Sequence, residues 1–94
     1  MKKCPDARTQ KEQQAIAPKE AVKMLKAGNK RFVDDKMINY CYAKMAEQTA
    51  KNGQFPFAAV VACVDSRIPV EQVFDQAIGD MFVARVAGNF VNTD

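Results

Sequence analysis

The sequence predicts an α/β fold: N-terminal helices followed by a βαβ unit of a parallel sheet, itself part of an incomplete domain. Three observations carry this. Phe57-Ala58-Ala59-Val60-Val61-Ala62-Cys63-Val64 is apolar at every position, the pattern of a strand buried on both faces. Met81-Phe82-Val83-Ala84-Arg85-Val86 is a second strand of similar texture, and Pro69 to Phe74 between them has helical spacing. Residues 18–52 place their apolar side chains at helical rather than alternating intervals.

Residues 1–17 are polar and rich in Lys and Gln, and read as a mobile N-terminal arm; residues 18–94 read as the N-terminal part of a single domain. Pro18 suits the first position of a helix, and Glu20 sits in the first turn, where the helix dipole favours a negative charge. Val22, Leu25 and Phe32 then mark one face, predicting an amphipathic helix over about 18–34 that Gly28-Asn29 weakens without breaking. Met37, Tyr40, Cys41, Met45 and Ala46 predict a second helix over 37–52, ended by Asn52-Gly53. Pro69 starts a third, with Val70, Val73 and Phe74 on one face. Gly79-Asp80 is a turn, and Ala87-Gly88-Asn89 ends the second strand. Two parallel strands are too few for a stable sheet, so both faces and both edges call for partners. Asn92-Thr93-Asp94 resembles the N-cap of a further helix.

Composition narrows the functional classes. The 94 residues are 48% hydrophobic and 27% charged, as in ordinary globular proteins. No run approaches the roughly 20 apolar residues of a membrane span, and the basic start Met1-Lys2-Lys3 lacks the apolar core of a signal peptide, so a cytoplasmic protein is expected. Residues 1–54 carry 12 Lys and Arg against 6 Asp and Glu, whereas residues 55–94 carry 2 against 5. The basic charges are spread at helical spacing among acids, a solvated helix face rather than a nucleic-acid patch. In the acidic half, Arg67 and Arg85 are expected to do positional work. Cys4, Cys41 and Cys63 form no Cys-x-x-Cys pair, and free thiols or metal thiolate are expected over disulfides. The absence of histidine excludes Ser-His-Asp and Cys-His catalysis within these residues.

The chemistry-bearing run is Cys63-Val64-Asp65-Ser66-Arg67, where a strand gives way to a loop, the usual ligand position of open α/β sheets. Strand alternation sends Cys63 and Asp65 to one face, and a thiolate with a carboxylate suits Zn²⁺. Arg67 lies within reach of Asp65 and would hold it ionised by bidentate pairing. Asp65 therefore has two possible partners, a metal or Arg67. On its own the Cys-x-Asp spacing reads first as a small buried hydrophobe followed by a turn or cap at Asp65 or Ser66.

Together with Gly79-Asp80-Met81-Phe82-Val83-Ala84-Arg85-Val86-Ala87-Gly88-Asn89, that run resembles the N-terminal half of a β-class carbonic anhydrase, and Ala27-Gly28-Asn29-Lys30-Arg31-Phe32 is similar to the family's first helix. The resemblance covers about residues 18–94. It implies a parallel α/β sheet and reversible hydration of CO₂ to bicarbonate at zinc. It also implies Cys63 as a zinc ligand, and Asp65 either ligating zinc or paired with Arg67 to orient the reacting group. Gln54 is implied as a hydrogen-bonding residue for substrate or bicarbonate, and Phe82 as a wall of the CO₂ pocket, a position that plain core packing would also explain. The family's sites form at a dimer interface, so a homo-oligomer is expected, with neither nucleic acid nor membrane as partner.

The family completes its zinc site from a later His-x-x-Cys motif, and here no histidine occurs and no cysteine follows Cys63. With at most two of the three or four ligands required, the 94 residues are expected to be inactive alone. A truncated carbonic anhydrase is the first expectation. A relative acting on carbonyl sulfide or carbon disulfide, or a non-catalytic oligomerising fragment, is the alternative.

Overall fold

A computed structural model describes residues 5–65, 67 and 69–89. The chain runs α1 (Gln10–Gln14), α2 (Pro18–Val33), α3 (Tyr42–Asn52), β1 (Ala58–Cys63), α4 (Val70–Val73) and β2 (Met81–Val86), then a single 3₁₀ turn over Ala87–Asn89. The two strands pair in parallel, from Ala58 opposite Met81 to Cys63 opposite Val86. The expected α/β architecture is therefore present. Ser66, Cys4 and the N-cap signal at Asn92-Thr93-Asp94 lie outside the described residues. No helix among the described residues is long and apolar enough to cross a membrane.

Register and alternation divide the sheet into two faces. Ala62 and Met81, with Ala58, Val60 and Val83, pack against Val70, Phe74 and Leu25 and form the small core. The opposite face carries Ala59, Val61, Phe82 and Ala84, all exposed, Phe82 at 54%. The apolar run of β1 led to an expectation of burial on both faces; in the described residues α2 and α4 cover only one.

α2 reaches the sheet through α4. Gly28 is buried where α2 passes the end of α4, Asn29 Nδ2 donates to the Val73 carbonyl at 2.9 Å, and Gln76 Nε2 donates to the Phe74 and Met24 carbonyls at 3.0 and 3.4 Å. Asp75, 1% exposed, sits at the centre of this junction. Its carboxylate accepts from Arg31 Nε and from the Ile38 amide at 3.0 Å, and its carbonyl accepts from Arg31 Nη2 and the Tyr40 hydroxyl, each at 3.2 Å. Burial first, and the Asp75 charge second, hold the Tyr40 phenol above its ordinary pKa, so it remains a donor.

The second helix starts later than its pattern predicts, at Tyr42 rather than Met37. Asp35 turns the chain with φ 57°, and the Ile38 amide and Tyr40 hydroxyl are engaged by Asp75. Those bonds draw residues 36–40 along the body instead of into a helical ladder. Cys41 is disulfide-bonded, contrary to the free thiols or metal thiolate expected over disulfides, and Cys63 is the free one among the described residues. Spacing along a chain does not reveal which thiols meet in space.

Residues 5–17, expected as a mobile arm, are docked. Thr9 caps α1 in a reciprocal capping box with Glu12, Arg8 Nε bonds Asp80 at 3.2 Å and lies 4.9 Å over the Phe57 ring, and Gln13 Nε2 donates to the Pro56 carbonyl at 2.6 Å. Asp6 joins Gln48 and Lys44 at 2.9 and 3.1 Å. The backbone and hydroxyl of Thr9 hold the Glu12 carboxyl below its ordinary value, and the Gln48 amide, then Lys44, do the same for Asp6. A carboxylate whose folded pKa is depressed stabilises the fold above its unfolded pKa and loses that contribution as pH falls through the folded value. Amide exchange at Ala7 and Thr9 is therefore expected to be slow at neutral pH and to accelerate, relative to β1, only once pH drops below the ordinary values of 3.8 and 4.5. Uniform acceleration of the two regions would refute a separately docked segment.

Candidate functional site

The strand ends place the candidate groups. β1 finishes at Cys63, whose thiol is held below its ordinary pKa chiefly by the backbone amide of Asp65, then by that of Gly88, with a lesser contribution from the Val64 amide; partial desolvation and the Asp65 charge oppose the shift. The Gly88 amide is available because the chain turns through the left-handed region there, with φ 70° and ψ 18°, a conformation that a side chain would strain. Amides aimed at sulfur favour its charged form.

Asp65 follows two residues on and is held by Arg67. The guanidinium Nε donates at 3.0 and 3.1 Å to the two carboxylate oxygens, Nη2 donates at 2.6 Å, and the Arg67 amide adds a bond at 2.9 Å. The side chain and then the backbone of Arg67 hold the Asp65 carboxyl below its ordinary value. Of the two partners open to Asp65, the one it has here is Arg67. The pair is solvent-exposed, with 86% of the Arg67 side chain accessible, so it orients a carboxylate more than it stabilises the fold. From β2, Arg85 Nη1 donates to the carbonyls of Cys63 and Asp65 at 3.0 and 3.4 Å.

The other two candidate residues lie elsewhere. Phe82 pairs in register with Ala59, four residues before Cys63 on β1, roughly 13 Å along the strand although on the same face. Gln54 is exposed beside Gly79, where a Cβ would come within 3.7 Å of it, at the amino ends of both strands. Cys63, Asp65 and Arg67 are thus brought together, whereas Gln54 stands a full strand length, roughly 20 Å, from them. Two backbone groups complete the arrangement without any side-chain signal: the amides of Gly88 and Asp65. Gly88 is legible only as the end of a strand; its aim at sulfur requires the β1–β2 register.

These donors suit zinc in part. An amide-supported thiolate at Cys63 suits a soft-tolerant ion, and Asp65 offers oxygen once released from Arg67. A third donor is missing: among the described residues no three His, Cys, Asp or Glu side chains converge. Among the described residues the donor set fits two positions of a zinc site.

Comparison with known proteins points to one family. Residues 58–94 match a family model described as carbonic anhydrase. Carbonic anhydrase 2 of Mycobacterium tuberculosis is 40% identical over 76 residues, 81% of this chain and 37% of the relative. A carbonic anhydrase of Mycolicibacterium smegmatis is 40% identical over 75 residues, 80% of this chain and 36% of the relative. The chain thus spans little more than a third of the length of the curated relatives it matches.

Proposed function

Because the chain belongs to the β-class carbonic anhydrase family, we propose that its residues serve the reversible hydration of CO₂ to bicarbonate, as one part of a zinc site completed by groups outside these 94 residues. The observation that carries the reading is the bidentate Asp65–Arg67 pair two residues from an amide-supported Cys63. Zinc, when bound, supplies the Lewis acidity that makes hydroxide available near neutral pH. In this reading Cys63 holds the ion. Arg67 keeps Asp65 ionised and turned away from the metal, and Asp65 accepts a hydrogen bond from the reacting hydroxyl and orients it. Phe82 lines an apolar approach for CO₂, and Gln54 donates to bicarbonate.

The separation of Gln54 from Cys63 favours assembly. One chain cannot bring both to one substrate molecule, and a second copy could supply Gln54 across the open sheet face. That face and the free strand edges also favour association for its own sake, so a non-catalytic oligomerising role is the second reading.

One sample tests both. The purified 94-residue chain is expected to hold much less than one zinc per chain and to show no CO₂ hydration above background by stopped-flow, while the coding sequence after Asp94 continues to His-x-x-Cys. Expressed to that length, it is expected to hold one zinc per chain and to lose hydration on Cys63→Ser. A downstream frame without the motif, or stoichiometric zinc in the 94 residues, would overturn the half-site. A stable metal-free oligomer by size-exclusion mass, with no activity at either length, would favour the second reading.

A further inference from the structure

We propose that Arg85 is a positioning residue, tying the turn that carries Cys63, Asp65 and Arg67 to the second strand and thereby setting where those groups stand relative to the sheet. The proposal rests on the reading of Cys63 and Asp65 as site groups, but its geometry stands apart from any metal.

The turn has two kinds of bond. Asp65 and Arg67 bond to each other, which shapes the turn internally without tying it to the second strand. The bonds that cross to β2 are different. Arg85 Nη1 reaches the carbonyls of Cys63 and Asp65 at 3.0 and 3.4 Å. Cys63 is the last ladder residue of β1, opposite Val86. Past that point the sheet supplies no further backbone partners, and a carbonyl at a strand end needs another donor or water. A guanidinium suits this place: it is planar, permanently charged, and can donate to two carbonyls that flank a bend. Arg85 sits opposite Ala62 in the ladder, one position before that end, so its side chain need only reach forward along the strand.

Arg85 thus acts through the backbone. By fixing the carbonyls of Cys63 and Asp65 it fixes the peptide planes on either side of the Val64–Asp65 pair, and with them the direction of the Asp65 carboxylate. Loss of Arg85 should leave the β1–β2 ladder intact and let the turn wander.

The test is amide hydrogen exchange by NMR on the metal-free 94-residue chain, comparing wild type, Arg85→Met and Arg85→Lys. Arg85→Met is expected to accelerate exchange at Asp65, Arg67 and Gly88 by roughly tenfold, the loss of about one charge-assisted hydrogen bond, while Val60 and Val83 exchange as before. Arg85→Lys, which keeps one charged donor, is expected to restore part of the protection and to move the Gly88 amide shift back toward wild type. Equal acceleration of the ladder, or an unchanged turn, would overturn the proposal. Should Arg85→Met fail to fold, Arg85→Lys decides alone: loosening confined to the turn supports the role, and wild-type or ladder-wide exchange refutes it. The readout needs no zinc and no turnover, so failure of the hydration test leaves it readable, and an unchanged turn would count against Arg85 with the reaction intact.

Discussion

Replacing Gly28 with alanine is expected to destabilise the chain by about 3 kcal/mol or more, enough to unfold much of it. Intrinsic helix propensity points the other way, since alanine in place of glycine within a helix gains about 1 kcal/mol. Close approach decides the sign. A Cβ on Gly28 would fall inside the contact distance of the Phe74 carbonyl oxygen and 2.7 Å from its carbon, with Gln76 Nε2 at 3.0 Å. Two of those three atoms are backbone and cannot swing aside. α2 would have to lift from α4, breaking the Asn29 and Gln76 bonds that lace the two together. Urea denaturation followed by circular dichroism measures this. A Gly28→Ala chain as stable as wild type would refute the close crossing of α2 and α4.

Asp75→Ala is expected to cost about 3 kcal/mol, while Asp75→Asn costs roughly half as much. The side chain is fully buried and its Oδ2 serves both Arg31 and the Ile38 amide. Its removal leaves a half-buried guanidinium without its carboxylate and an amide without its acceptor. Position 75 is also left-handed, with φ 46°, which Asp and Asn tolerate better than Ala. Asparagine therefore keeps the backbone preference and an acceptor for Ile38, and loses the charge while placing its NH2 group at the buried, unpartnered Oδ1 position. The same denaturation series decides the order. Equal losses for the two variants would place the whole effect in the ion pair and none in the turn. Exchange at Ile38 should accelerate in Asp75→Ala ahead of the β1 amides, because the Ile38 amide is bonded to this carboxylate.

The elements of the βαβ unit were legible because their signals are local. An unbroken apolar run, a proline before a helical triplet and a Gly-Asp turn each act within a few residues, and β1, α4 and β2 appear where those signals stand. The same holds for Cys63, Asp65 and Arg67, which lie five residues apart at most and needed only a strand end to converge. Long-range bonds produced the departures. Helix α3 begins at Tyr42 because Asp75, more than thirty residues on, claims the segment before it. The N-terminal segment docks because Arg8 finds Asp80 and Phe57, partners its own composition does not announce.

By itself, then, the sequence determined the α/β order and the placing of Cys63, Asp65 and Arg67 at a strand end, since each follows from residue type and short spacing. Only the tertiary structure decided that Asp65 is paired with Arg67, that Arg85 reaches across from β2 to the Cys63 carbonyl, and that Gln54 stands at the far end of the sheet. Residue type limits which bonds a group can make. Which partner arrives within 3 Å depends on strand register and helix crossing, and those are properties of the whole packed chain.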